Sequence, residues 1–184
     1  MPNRLVLTLS PPYGGFFLVC TSPVSTMGLD MFLHGQVNIS SHIHDQTPSR
    51  PNPKYAEIHK LCNLQLTGDE WGLINIQIPV MQWRKANQIH KWFFNKCHGV
   101  VDDPQYDRSY DAELSADKLG ELVDAIGEAL ENKDATVLPP QAGFFFGSTD
   151  IDEWYWKDLE STYETLTEVL DAGRFKSFTY HSSW

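Results

Sequence analysis

Trp83-Arg-Lys-Ala-Asn-Gln-Ile-His-Lys-Trp-Phe93 is the stretch on which the fold turns. Its periodicity predicts an amphipathic helix over about Gln82 to Lys96, with Gly99 as its stop. On such a helix Arg84, Asn87 and His90 follow at i, i+3 steps beside Trp83, Ala86, Phe93, Phe94 and Cys97. Trp83, Phe93 and Phe94 are therefore expected in the core. A polar stripe bordering an apolar one needs partners, because an unpaired buried polar group costs about 1–3 kcal/mol. Either Asn87 and His90 pin the helix to backbone carbonyls, or they face a ligand.

Working outward, Ile74, Ile76, Ile78 and Val80 alternate with Asn75, Gln77 and Pro79, the pattern of a strand with an edge position at the proline. Leu29 to Ile39 alternates in the same way. Residues 40–54 hold three prolines among Ser and Asn residues and read as a loop. Tyr55 to Leu66 suits a helix slightly better than a strand. Tyr110 to Leu114 is a short strand, after which Ser115 caps a helix with Leu119, Leu122, Val123, Ile126 and Leu130 as its stripe. Gly143-Phe-Phe-Phe-Gly147 reads as a compact apolar strand or turn, its three phenylalanines favouring a buried strand. Asp150 and Glu153 form a capping box for a helix over about Ile151 to Leu170, with core stripe Ile151, Tyr155, Leu159, Thr162, Leu166 and Leu170. A last strand includes Ser177 to Tyr180. The expected fold class is α+β, a small mixed or antiparallel sheet with about three helices packed on it.

Residues 1–26 contain four prolines and no acidic residue. They are expected to be a poorly ordered leader or upstream-translated extension, with the domain proper occupying 27–184 and opening at Met27. The remaining composition, 41% hydrophobic and 12% aromatic, suits one folded domain. A net charge of −10 argues against extended nucleic acid or an anionic membrane as partner. No apolar run reaches the roughly 18 residues of a spanning helix. Three cysteines, Cys20, Cys62 and Cys97, do not make a disulfide framework and point to a reducing cytoplasmic setting.

Seven histidines raise the question of a metal. His42 with His44, His59 with Cys62, and Cys97 with His98 each lack the matching second pair that a zinc site requires, so no metal or cofactor is expected. Gly143–Gly147 lacks the ending of a phosphate-binding loop. Ser148 does not sit between glycines as a nucleophile elbow demands. His90 is the residue best suited to proton transfer, since imidazole titrates near neutrality. Trp154, Tyr155, Trp156 and Tyr163 cannot all face the core at 3.6 residues per turn, so Trp154 or Trp156 should be partly exposed.

Met27-Gly-Leu-Asp-Met-Phe-Leu33, the Trp83–Phe93 stretch, Gly143-Phe-Phe-Phe-Gly-Ser148 and the terminal Ser182-Ser183-Trp184 together resemble an uncharacterised family of small proteins associated with phages and prophage regions. The resemblance spans nearly all of residues 27–184. It implies a phage-type accessory protein in the cytoplasm of a bacterial host and carries no activity or functional residue with it.

From the residues themselves, the expected ligand-binding set is Arg84, Lys85, Asn87 and His90 with Trp154, Tyr155 and Trp156. Arg84 and His90 are expected to share a pocket with the start of the helix near 151, whose N-terminal amides would face an anion. The leading reading is a non-enzymatic module binding a small anionic, nucleotide-like ligand or a host protein. The alternatives are a small enzyme with His90 as general acid or base, and a purely structural interaction domain.

Overall fold

A computed structural model describes residues 5–10, 15–20, 28–45, 47–62, 72–100 and 109–184. It is an α+β protein whose chain divides into two compact units, one of residues 1–23 and 36–77, the other of 24–35 and 78–184. No helix among the described residues is long and apolar enough to cross a membrane.

In the first unit, β1 (Leu5–Ser10) pairs antiparallel with β2 (Gly15–Cys20). These two strands fall within the expected leader; the rest of residues 1–26 lies outside the described residues. Strand β2 runs parallel to the start of β6 (Leu73–Arg84), with Phe16 opposite Ile74 and Leu18 opposite Ile76. The expected loop at 40–54 contains a short ribbon, β4 (His42–Ile43) against β5 (Arg50–Pro51). Helix α1 (Pro53–Leu61) follows, with Asn52 as its N-cap accepting from Lys54 N and reaching back to the Ser40 carbonyl at 2.8 Å.

The second unit holds the main core. Its strand order is β6, β3 (Asp30–Ser40), β9 (Ser177–Ser183), β8 (Ser109–Ser115) and β7 (Gly99–Val100), with β9–β8 and β8–β7 antiparallel. Period-two alternation sends Met31 and Leu33, Tyr110, Ala112 and Leu114, and Phe178 and Tyr180 to one face, where all are buried. Helices α2 (Asn87–Lys96), α3 (Ala116–Asn132) and α4 (Glu153–Asp171) contribute much of the rest of that core, together with Leu29, Trp83, Leu138 and Phe146. The α3 stripe Leu119, Leu122, Ile126 and Ala129 and the α4 stripe Tyr155, Leu159, Thr162 and Leu166 follow the 3–4 spacing of a helix face, and all are buried. Ser115 caps α3 through Lys118 N, as its sequence position predicts.

Four expectations are corrected. The helix expected from Gln82 begins at Asn87, because β6 continues through Trp83 and Arg84. Lys85, at φ +62° in the left-handed region, ends the strand, and its N–H bonds to the Leu29 carbonyl at 2.8 Å. Arg84 therefore does not share a helical stripe with Asn87 and His90. Second, Gly143–Gly147 is a turn and not a strand. Phe146 N bonds Gly143 O at 3.1 Å, Gly147 sits at φ +89°, and Phe144 is 95% exposed while Phe146 is buried. Third, the cap of α4 is Asp152, which accepts from Tyr155 N; Asp150 instead accepts from Ser148 Oγ, and Ile151 is exposed, outside the core stripe. Fourth, Phe94 is 44% exposed, while Trp83 and Phe93 lie in the core as expected.

Candidate functional site

The end of β6, the start of α2, the turn after Phe146 and the first turns of α4 enclose a cleft of about 320 Å³. Each wall has a local cause. Trp83 anchors the end of β6 by donating from Nε1 to Thr162 Oγ1 on α4 at 2.7 Å. Arg84 and Lys85 follow on the exposed side of that anchor and line the cleft. Arg84 Nη1 stands 3.6 Å from Oδ1 of the buried Asp30. The stem of Lys85 packs on Gly147, where an added Cβ would meet Lys85 Cβ at 3.1 Å.

Asn87 builds the opposite wall. It is 2% exposed, and its Nδ2 donates to the carbonyls of Phe146 at 3.0 Å and Ser148 at 2.8 Å. Its Oδ1 accepts from Gln141 N at 2.9 Å. One side chain thus satisfies three backbone groups of the segment 141–148, for which no ladder exists. This is the carbonyl-pinning role that the sequence left open beside ligand contact.

Helix α4 supplies the third wall. Trp154 is 67% exposed, with Lys157 Nζ 5.1 Å from its ring centroid. Tyr155 is buried and donates from Oη to Leu138 O at 2.9 Å; burial raises its phenol to about 12, so it stays protonated at neutral pH. Asp158 stands one turn beyond Trp154. Burial pushes its carboxyl up to about 6, with the nearby Gln88 amide drawing it partly back down. Gln88 is 3% exposed, and the polar neighbour of its amide is that Asp158 carboxyl.

Of the seven residues expected to bind a ligand, Arg84, Lys85, Asn87, Trp154 and Tyr155 line this cleft. His90 and Trp156 do not. His90 is 1% exposed, shares a 2.9 Å hydrogen bond between Nδ1 and Tyr180 Oη, and meets Phe146 and Trp184 edge-on. Burial holds its imidazole down at about 4, so it is neutral at physiological pH. Trp156 stacks edge-on against Tyr155 and has Lys133 Nζ 4.9 Å from its ring.

At the start of α4, one of the amides expected to face an anion is already taken. The Asp152 carboxylate already occupies Tyr155 N, and it brings negative charge to the positive end of the helix. The cleft carries two cations, Arg84 and Lys85, against three carboxylates, Asp150, Asp152 and Asp158. Charges of both signs therefore line one cleft, with the carboxylates in excess. No histidine or cysteine lines it, and Ser148 Oγ donates to Asp150 at 2.8 Å without an imidazole between them. Among the described residues no group of three His, Cys, Asp or Glu side chains is placed to hold a metal.

Sequence reasoning missed Gln88 and Asp158. Gln88 lay inside the quoted stretch but off the i, i+3 stripe assumed for it. Asp158 carried a signal, since it follows Trp154 at i+4 and Tyr155 at i+3 and so neighbours both on the helix surface. Comparison with protein families, curated proteins and solved structures finds no match for this chain.

Proposed function

We propose that this chain is a non-enzymatic, phage-type accessory module that binds a small anionic, nucleotide-like ligand in the cleft, within the cytoplasm of a bacterial host. One observation carries the reading: two cationic side chains and a largely exposed tryptophan ring line the same cleft of about 320 Å³. An exposed Trp is expensive in hydration and offers a stacking plane. Arg84 and Lys85 supply charge-assisted hydrogen bonds to a phosphate or carboxylate. The volume lies at the small end of ordinary ligand pockets, about 300–1,000 Å³. A host protein docking on the exposed Trp154 is the competing use of the same residues.

Native mass spectrometry of protein purified from a bacterial cytoplasm, with thermal-shift titration against the common nucleoside monophosphates, tests the reading. A retained small molecule or a concentration-dependent rise in Tm is expected, and both should disappear in an Arg84→Ala/Lys85→Ala double variant. No retained mass and no shift with any nucleotide would overturn it.

One observation favours an enzyme as second reading. The Asp158 carboxyl, held near 6, is the cleft group suited to general acid–base work, in place of the enclosed His90. Recovery of an added nucleotide chemically unchanged after long incubation would dismiss it.

A further inference from the structure

Resting on that cleft reading, we propose that Lys85 is the side chain that grips the anionic group of the ligand, and that its left-handed backbone is retained to bring it there. Lys85 and Lys133 are the non-glycine residues at positive φ among the described residues, at +62° and +51°. Lys133 ends helix α3 as its C-cap, the ordinary place for such a conformation. Lys85 has no helix to end. It follows the last residue of β6, where its N–H bonds to Leu29 O and its C=O accepts from Asn87 N, both at 2.8 Å. Glycine would make both backbone bonds without steric penalty, whereas a β-carbon in the left-handed region is strained. Strain of this kind collects at binding sites, where the side chain has a use that outweighs it.

The conformation has a direct effect on the cleft. Consecutive residues of an extended strand point to opposite faces, yet Arg84 and Lys85 both line the cleft. A strand continued through residue 85 would have turned it to the side of the buried Trp83. The left-handed step carries it to the cleft instead. There its stem lies against Gly147, itself at φ +89°, where an added Cβ would stand 3.1 Å from Lys85 Cβ and 3.3 Å from its Cδ. A larger residue at 147 would push the stem aside.

The charge at the tip is uncommitted. Arg84 has the buried Asp30 at 3.6 Å, but Lys85 forms no salt bridge among the described residues, although Asp150, Asp152 and Asp158 line the same cleft. An ammonium so placed is matched by a phosphate or carboxylate brought from outside.

Isothermal titration of the full chain with AMP, GMP, CMP and UMP, each beside its nucleoside, tests the grip, and Tm tests the strain. The best-bound nucleotide should exceed its nucleoside in affinity by about tenfold or more, the effect of one charge-assisted hydrogen bond. In Lys85→Gly that advantage should fall to about threefold or less, and in Lys85→Arg most of it should remain. Lys85→Gly should melt about 2–4 °C above Lys85→Ala, because both lose the stem and only alanine keeps the strained β-carbon. At an unstrained position the order is the reverse, since glycine has more backbone freedom to lose. A phosphate advantage that survives Lys85→Gly, or a Lys85→Gly protein less stable than Lys85→Ala, would overturn this inference and leave the cleft reading standing. A nucleotide that binds no better than its nucleoside, or no binding of any probe, would overturn both.

Discussion

Replacing Asn87 by alanine removes a side chain that holds a cleft wall through three hydrogen bonds, of 3.0, 2.8 and 2.9 Å. The partners are two carbonyls and one N–H in the segment 141–148, and Asn87 itself is 2% exposed. A typical hydrogen bond contributes about 0.5–1.5 kcal/mol net, so three amount to about 2–4 kcal/mol. The better helix propensity of alanine at the first turn of α2 returns less than about 0.7 kcal/mol. The expected loss is therefore about 2–3 kcal/mol. It is measured by urea unfolding followed by tryptophan fluorescence, with an unchanged m-value to confirm that the same surface unfolds. Asn87→Asp sharpens the test, because it keeps the shape but turns the donor toward Phe146 O and Ser148 O into a second acceptor. Its destabilisation should equal or exceed that of alanine at pH 8 and shrink as the new carboxyl is protonated. A loss under about 0.5 kcal/mol for both variants would refute the assignment of Asn87 as the support of this wall.

Three further outcomes are expected. Phe93→Ala should cost about 3–5 kcal/mol in the same urea assay, since the ring is fully buried and stacked 3.9 Å from Tyr180; a near-neutral result would contradict its place in the core. Phe144→Ser should change stability by less than about 0.5 kcal/mol because Phe144 is 95% exposed, and a large loss by the same measurement would show that this ring is covered. Asp158→Asn should raise Tm relative to the unaltered protein at pH 7.5 and leave it nearly unchanged at pH 4. The folded carboxyl titrates near 6, above its ordinary value of 3.8, so the folded state binds more protons and stability drops as pH rises through that window. A gain that is larger at pH 4 than at pH 7.5 would reverse the sign and refute the burial argument.

The α+β class was legible because most elements carry local signals. Ser115 and its apolar stripe announce α3, and the alternation around Met31 and Leu33 announces β3. The boundary between β6 and α2 was not legible for a physical reason. Trp83, Asn87 and His90 stand at helical intervals even though the chain reverses character at Lys85. A left-handed lysine leaves no mark in hydrophobic periodicity, and Ala86 gives α2 no side-chain cap to detect. The Gly143–Gly147 turn misled in the opposite direction. Three phenylalanines look like a buried strand, but only Phe146 is inserted while Phe144 faces out. In the cleft, charge and aromatic type pointed to Arg84, Lys85, Trp154 and Tyr155. His90 was drawn in only by the assumed helical stripe. Gln88 was invisible because an amide becomes informative only once its burial and its neighbour Asp158 are known.

The bond from Trp83 Nε1 to Thr162 Oγ1 joins positions 79 residues apart, next to the residues that bring Arg84 and Asp158 to one cleft. That separation makes the cleft a late product of folding. Closing so long a loop is an entropic hurdle that no single helix or hairpin can overcome by itself, so β6 and α4 must dock before the cleft exists. A half-folded chain holds half a cleft. Under the proposed binding role, occupancy and global folding would be one linked equilibrium, and a ligand would slow hydrogen exchange in the core as a whole.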